Sequence, residues 1–272
     1  MSATLAPATE AELAAAVAAA TAAREPLAVE GNGTKRALLR PVQAARTLST
    51  RRLTGITLYR PTELVISARA GTPLAEIEAA VAEKGQMLAP EPPDTRALFG
   101  AAAEATIGGV VAANLSGPRR ITAGAMRDHV LGIRFVNGAG EVVRSGGRVL
   151  KNVTGLDLCK LLTGSHGTLG VITQVTLKVL PAPEVAATLA VRVPDLAEGV
   201  RALSAGLGSP YGVTGAALLP DGPTALLRIE EFAASVAYRA GRLHEALEAF
   251  GPVELIQGEA SADLWRRVRD AA

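Results

Sequence analysis

The chain has 272 residues, 49% of them hydrophobic and 20% charged, with a formal charge of +2 and a pI near 8.9. That length predicts two domains or subdomains, and the near-neutral balance, with Lys and Arg spread along the chain, excludes the basic stripe of a nucleic-acid binder. One cysteine, Cys159 in "GLDLCKLL", excludes an internal disulfide and predicts a buried structural thiol.

The N-terminal "MSATLAPATEAELAAAVAAATAAREP" carries Glu10 and Glu12 and no basic leader, so it does not read as a signal peptide. It predicts a first helix, with Thr9 and Glu12 as a capping box and Leu13, Val17 and Ala20 on one face. "PLAVE" then leads into "GNGTK", residues 31–35, and "TLYRPTELVISARAG" follows as a strand-rich segment. A second helix is expected to open with Thr72 as N-cap and Pro73 at its first position, to bury Leu74, Ile77 and Val81, and to end at Lys84-Gly85. This β-then-α order marks an α/β or α+β fold.

The middle third is punctuated by glycine. "TIGGVVAANLSGP" (106–118) predicts a short, close-packed helix, and "VLGIRFVNGAGEVV" (130–143) a hairpin turning at Asn137-Gly138. Alternation from Val171 to Val179 predicts a half-buried strand. The longest uncharged stretch, Ala105 to Pro118, is too short to span a bilayer. The sequence thus predicts a soluble cytoplasmic protein, with the sequons at Asn32, Asn114 and Asn152 arising by chance. After the Pro-rich joint "LPAPEV" the order becomes β-α-β-β-α-β, the split-βαβ arrangement, which places a domain boundary near residue 182. In this second domain Leu243, Leu247 and Phe250 are expected to fill a core, and Trp265 is left as a candidate docking contact.

Several chemistries are missing. His129, His166 and His244 are widely separated and form no zinc motif, and neither a G-x-S-x-G elbow nor a P-loop occurs. No strand leads into G-x-G-x-x-G with an acidic residue at the proper distance. What remains is a set of glycine loops: Gly31 to Lys35, Thr106 to Gly109, Ser116-Gly117, Gly124, and Gly164 to Gly170. Glycine lets successive amides approach an anion, and Thr34 and Lys35 beside such a nest suit a diphosphate. Any one of these loops is explained equally well as a tight turn; five, separated by strands and helices, suit a long extended cofactor. His166 is expected to be a polar loop residue and not a catalytic base.

In order and spacing these loops resemble the FAD-binding domain of the vanillyl-alcohol-oxidase or PCMH type. The pieces that carry the resemblance are "VEGNGTK", "ARAGTPLAEIEAAVAEKGQMLAPEPPD", "TIGGVVAANLSGP", "GAMRDHVLGIRFVNGAGEVVRSGGRVLKNVTGLDLCKLLTGSHGTLGVIT" and "KVLPAPE". Within that family the chain resembles the FAD-binding subunits of bacterial glycolate oxidases. The resemblance implies an α+β fold: a PCMH-type, two-subdomain FAD-binding domain over residues 1–182, then a partial ferredoxin-like cap over 183–272, expected to be incomplete at its C-terminus relative to full-length family members. It implies that Gly31, Asn32, Gly33 and Thr34 hold the FAD diphosphate with Lys35 flanking, and that Pro90 and Asp94 lie along the cofactor. Thr106, Ile107, Gly108 and Gly109 would sit against flavin and diphosphate, Ser116, Gly117 and Gly124 would continue that wall, and Gly167 to Ile172 would end the site near the adenine. Arg127 and Asp128 would either pair with each other or touch the cofactor.

Relatives with covalently held FAD often carry a histidine near the position of Gly33-Thr34, so the cofactor is expected to be noncovalent FAD. Neither a catalytic residue nor a metal ligand is assigned, because the metal-binding histidine motif of relatives that oxidise 2-hydroxy acids is missing from this sequence. The implied function is a flavoprotein subunit of a glycolate (2-hydroxy acid) oxidase or dehydrogenase complex, passing electrons from substrate through flavin to a sister flavoprotein subunit and an iron–sulfur subunit. Its single cysteine leaves no cluster in this chain. The alternative is a non-catalytic, structural FAD-binding subunit of the same complex. Localisation is expected to be cytoplasmic, or at the inner membrane through those partners.

Overall fold

The computed structural model describes residues 3–38, 40–147 and 155–272. The Asn152 sequon and the middle of "SGGRVLKNVTG" lie outside them. The chain divides into two compact units, Met1–Leu115 with Ala125–Pro181, and Ser116–Gly124 with Ala182–Ala272. No helix among the described residues is long and apolar enough to cross a membrane.

The first unit opens with β1 (Thr4–Leu5), α1 (Glu10–Ala23), β2 (Leu27–Glu30) and β3 (Arg46–Ser49), whose strands form a parallel sheet in the order β1-β3-β2. Thr9 caps α1 by accepting the Glu12 N–H at 3.1 Å, while the Glu12 carboxylate accepts the Ala8 N–H at 2.8 Å. The reciprocal cap therefore closes one residue further out than a standard capping box. Leu13 and Val17 pack on Leu48, Leu53, Val136 and Val171, joining the small sheet to the larger one.

Next come β4 (Ile56–Arg60), β5 (Val65–Arg69), α2 (Leu74–Ala82), β6 (Gln86–Met87), the one-turn α3 (Arg96–Phe99) and α4 (Ile107–Ala113). The chain leaves the first unit for the one-turn α5 (Arg120–Ala123), then returns as α6 (Met126–His129), β7 (Val130–Val136), β8 (Val142–Gly146), α7 (Leu158–Leu162), β9 (Val171–Lys178) and β10 (Leu180–Pro181). An antiparallel five-stranded sheet results, in the order β4-β5-β9-β7-β8.

Two local expectations need correction. Thr72 does not cap α2, whose N-cap is Pro73; the Thr72 hydroxyl instead accepts the Gly55 N–H at 3.0 Å and donates to the Arg69 carbonyl at 2.7 Å, tying together the turns that flank β4 and β5. And β9 is central, not half-buried: six of its eight residues are buried. It tolerates two threonines because Thr173 donates to Glu10 at 2.6 Å and Thr176 shares a 2.8 Å hydrogen bond with Ser67, which satisfies hydroxyls that would otherwise be expensive to bury. The hairpin behaves as its sequence implies, with Asn137 Oδ1 accepting the Ala139 and Glu141 N–H groups across the turn. Cys159 is a buried free thiol, pushed up to about 11 chiefly by desolvation.

The second unit runs β11 (Val185–Arg192), α8 (Leu196–Leu207), β12 (Val213–Leu219), β13 (Thr224–Glu231), α9 (Ala233–Leu247), β14 (Val253–Gln257) and α10 (Gly258–Asp270). Its strands are antiparallel in the order β12-β13-β11-β14, the ferredoxin-like arrangement. One core holds Leu189, Leu227 and Ile229 of the sheet with Ala202 of α8 and Val236, Leu243 and Leu247 of α9. A smaller one holds Ala190, Leu226 and Trp265. Trp265 is thus not an exposed docking contact. It is 2% exposed, with its indole N–H donated to Thr188 Oγ1 at 2.7 Å and the Arg228 guanidinium 4.5 Å from its ring centroid.

Candidate cofactor-binding site

Strand β2 delivers the chain into Gly31–Lys35. The Gly31 carbonyl accepts the Ser49 hydroxyl at 2.7 Å, and a Cβ on Gly31 would overlap Thr106 Oγ1. Asn32 reaches in the same direction, donating its amide to the Glu104 carbonyl at 2.9 Å. Gly33 turns the loop with a φ of +71°, where a Cβ is disfavoured. Buried Thr34 offers its carbonyl to a long hydrogen bond from Thr95 at 3.5 Å.

Against this loop lies the start of α4. Thr106 is its N-cap, and the Ile107 and Gly108 N–H groups bond the carbonyls of Thr72 and Ala70 at 2.9 and 2.8 Å. Gly108 is pressed so closely to Ala70 that an added Cβ would lie 2.6 Å from its methyl and 2.8 Å from its carbonyl oxygen. Gly109 differs: an added Cβ would meet only Thr106 Oγ1 at 3.3 Å and Lys35 Nζ at 3.8 Å. Its Cα faces the space beneath the Lys35 amine.

Lys35 donates to Thr34 Oγ1 at 3.1 Å. Burial pulls its pKa down to about 8, against the opposing charge of Asp94. Asp94 is itself held by Arg96 at 2.6 Å, and Glu30 by a two-point grip from Arg36.

The stretch "TGSHGTLG" forms the other wall. Gly164 and His166 donate their N–H groups to the Val111 and Ala112 carbonyls at the end of α4, at 3.1 and 2.9 Å. His166 has a φ of +52° and an exposed side chain. Gly167, at φ +78°, lies so near Val29 that an added Cβ would be 3.0 Å from its Cβ. The Ser165 hydroxyl is buried without a partner.

The structure therefore brings Gly31, Asn32, Gly33, Thr34 and Lys35 together with Thr106, Ile107, Gly108 and Gly109, and sets Gly167 beside the strand that feeds the loop. Asp94 reaches Lys35 by charge and not by contact. Pro90 is buried but makes no recorded hydrogen bond to the loop, and Ile172 buries its side chain in the main core, leaving only its main chain for a ligand. Ser116, Gly117 and Gly124 belong to the second unit, on the segment that carries α5. Asp128 caps α6 by accepting the Ala125 N–H at 2.8 Å, and the Arg127 N–H goes to Asn114 Oδ1 at 2.9 Å. Thr95 and Ser165 are polar groups of this region that the sequence reading passed over. Only "TGSHG" itself, a hydroxyl between two glycines, signalled Ser165.

A half-buried ammonium beside an open glycine, with an unpartnered hydroxyl in the loop that bonds the other end of α4, fits a ligand with an anionic, hydrogen-bonding group. Glycine cradle, small parallel sheet, five-stranded antiparallel sheet and ferredoxin-like second unit together define a PCMH-type FAD-binding α+β protein. Residues 1–146 match the FAD binding domain family; the chain belongs to that family, and FAD is its cofactor.

Glycolate oxidase subunit GlcE of Escherichia coli K12 is 51% identical over 166 residues, 61% of this chain and 45% of that protein. Glycolate oxidase subunit GlcD of Bacillus subtilis 168 is 30% identical over 200 residues, 71% of this chain and 39% of that one. A D-lactate dehydrogenase of Archaeoglobus fulgidus is 31% identical over 160 residues, 59% of this chain and 34% of its own length. The chain thus spans less than half the length of these relatives. Among solved structures, alkyldihydroxyacetonephosphate synthase in two crystal forms gives a TM-score of 0.74 at 19% and 18% identity, covering 98% of this chain and 54% and 55% of that one, a likeness of fold.

Proposed function

We propose that this protein is the FAD-binding part of a subunit in a glycolate (2-hydroxy acid) oxidase or dehydrogenase complex, with a sister flavoprotein subunit and an iron–sulfur subunit as partners. The observation that carries this reading is the 51% identity to glycolate oxidase subunit GlcE, supported by 2-hydroxy-acid enzymes among the other relatives. FAD supplies the two-electron redox chemistry when bound, while the protein supplies binding, orientation and electrostatics. The amides of Gly31 to Thr34 hold its diphosphate with Lys35 alongside, Gly109 lets the backbone of α4 approach it while Gly108 packs behind on Ala70, and the end of the site lies at Gly167 to Ile172. Pro90 and Asp94 lie along the cofactor. The loop from Gly31 to Lys35 contains no histidine or cysteine to form a covalent flavin link, so FAD is held noncovalently.

The experiment is a visible spectrum of the purified chain before and after denaturation and filtration, followed by anaerobic addition of glycolate. Intact FAD in the filtrate supports noncovalent binding, and colour retained on the protein refutes it. Bleaching by glycolate supports substrate oxidation at this flavin; a flavin that stays oxidised refutes it for this chain alone and favours a relay or assembly role. A chain that neither retains nor takes up FAD refutes the assignment of the cradle.

A further inference from the structure

Resting on the reading of the Gly31–Lys35 loop as the FAD diphosphate cradle, we propose that FAD uptake is coupled to a proton taken up by Lys35, whose ammonium is the counter-charge of the diphosphate. The argument is one of pairing. Three carboxylates on the elements around Lys35, those of Glu30, Asp94 and Glu104, each have a guanidinium within 4.0 Å. Glu30, at the end of β2, is gripped by Arg36, with Arg36 Nε 2.6 Å from Oε2 and the terminal nitrogen 2.5 Å from Oε1. Asp94 takes Arg96 at 2.6 Å, and Glu104 lies 4.0 Å from the same arginine. The helix packed beneath, α4, has no charged residue. Among the described residues Lys35 has no carboxylate within 4 Å, and its recorded bond goes to the neutral hydroxyl of Thr34 at 3.1 Å.

Burial without a counter-ion favours the neutral amine, in line with the pKa near 8. Arg36 already spends its Nε and one terminal nitrogen on Glu30, which neutralises its charge. A diphosphate entering the cradle brings the counter-charge the loop lacks and raises the lysine again. The sign follows. Near pH 7 the amine is protonated before and after binding, and no proton moves. Above about pH 8 binding draws in a proton, and affinity falls by up to about tenfold per pH unit until the bound-state value is passed.

The test is calorimetric titration of FAD into the cofactor-stripped chain at about pH 7 and about pH 9, each in two buffers of different ionisation enthalpy. The expected result is a proton count near zero at the lower pH and approaching about one per FAD at the higher. K35R should bind with no proton linkage. K35Q should also lose the linkage and bind about 10- to 100-fold more weakly at the lower pH, with thermal melts confirming that each variant is folded; if K35R does not fold, K35Q decides. Tight FAD binding without proton uptake, or uptake that persists in either folded variant, overturns the proposal and leaves the FAD reading intact. A wild-type chain that binds no FAD at either pH overturns the cradle itself, and this coupling with it.

Discussion

Arg119 and Glu230 form a two-point ion pair inside the second unit. The guanidinium reaches the carboxylate at 2.8 and 3.0 Å, across a sequence separation of 111 residues, with the Glu230 side chain only 7% exposed. Thr214 adds a hydrogen bond to the same carboxylate at 2.8 Å, and Arg228 lies 3.4 Å away. Removing one partner of such a pair strands a buried charge, so Arg119→Met should destabilise the protein by about 2–4 kcal/mol. Arg119→Met combined with Glu230→Gln should be less destabilising than the two single changes added together. Urea denaturation of the three variants measures both.

The same pair has a pH signature. Burial opposes the charge on Glu230, but the bonds and charge of Arg119, with Arg228 and Thr214, outweigh it and hold the pKa below the usual carboxylate range. A carboxylate lowered in the folded state contributes stability above its unfolded value, near pH 4.3, and loses it as pH falls through the folded value. Wild type should therefore lose more stability between about pH 5 and pH 3 than Glu230→Gln does. Denaturation midpoints across that range check the difference, and parallel curves would refute it.

Gly108 and Gly109 are neighbours with opposite requirements. In Gly108→Ala the methyl would press on Ala70, including its backbone, and should destabilise the fold by about 1–3 kcal/mol. Gly109→Ala has room, so its effect on stability should stay within about 1 kcal/mol. It should nevertheless weaken FAD binding, because the methyl occupies the space under Lys35. Thermal melts of the stripped protein and FAD titrations separate the two effects.

Trp265, the one tryptophan of the chain, should give blue-shifted emission that is poorly quenched by iodide in the folded state and fully quenched in denaturant. Trp265→Phe keeps most of the packing but loses the N–H bond to Thr188 and weakens the stacking on Arg228. It should cost about 1–2 kcal/mol, read as a shift in the denaturation midpoint followed by circular dichroism.

Cys159 should resist alkylation near pH 7 while the protein is folded, both because it is buried and because its thiol is pushed up to about 11. Mass spectrometry after a timed exposure to iodoacetamide should find it largely unmodified, and fully modified in urea. Rapid labelling of the folded chain would contradict the burial.

Periodicity made most of the second unit legible, because α8, α9 and strands β11 to β13 each carry an apolar face that enters its core. Leu243 and Leu247 fall in its core, where a helical spacing puts them. What periodicity cannot display is satisfaction at a distance. Thr176 looks like the solvent face of a strand, and Thr173 like a polar break in its apolar face, until Ser67 and Glu10 arrive from far along the chain to bond them. Trp265 looked free because the sheet face it covers is formed by residues nowhere near it in sequence. Thr72 precedes a helix and a proline, the usual setting of a cap, yet the turn at Gly55 claims its hydroxyl. At the candidate site, glycine spacing made the loops visible. The lack of a carboxylate for Lys35 was not visible, since it depends on which arginine each neighbouring acid has taken.

The excursion through α5 has a consequence for how the protein is made. Ser116–Gly124 belongs to the second unit, but it leaves the ribosome long before the strands β12 and β13 that carry its partners. Arg119 is therefore synthesised first and must wait, solvated, for Glu230. A chain cut at the Pro-rich joint and expressed from there would build the sheet without the arginine that neutralises it, so any division of this protein into two genes has to carry those nine residues across with the later half.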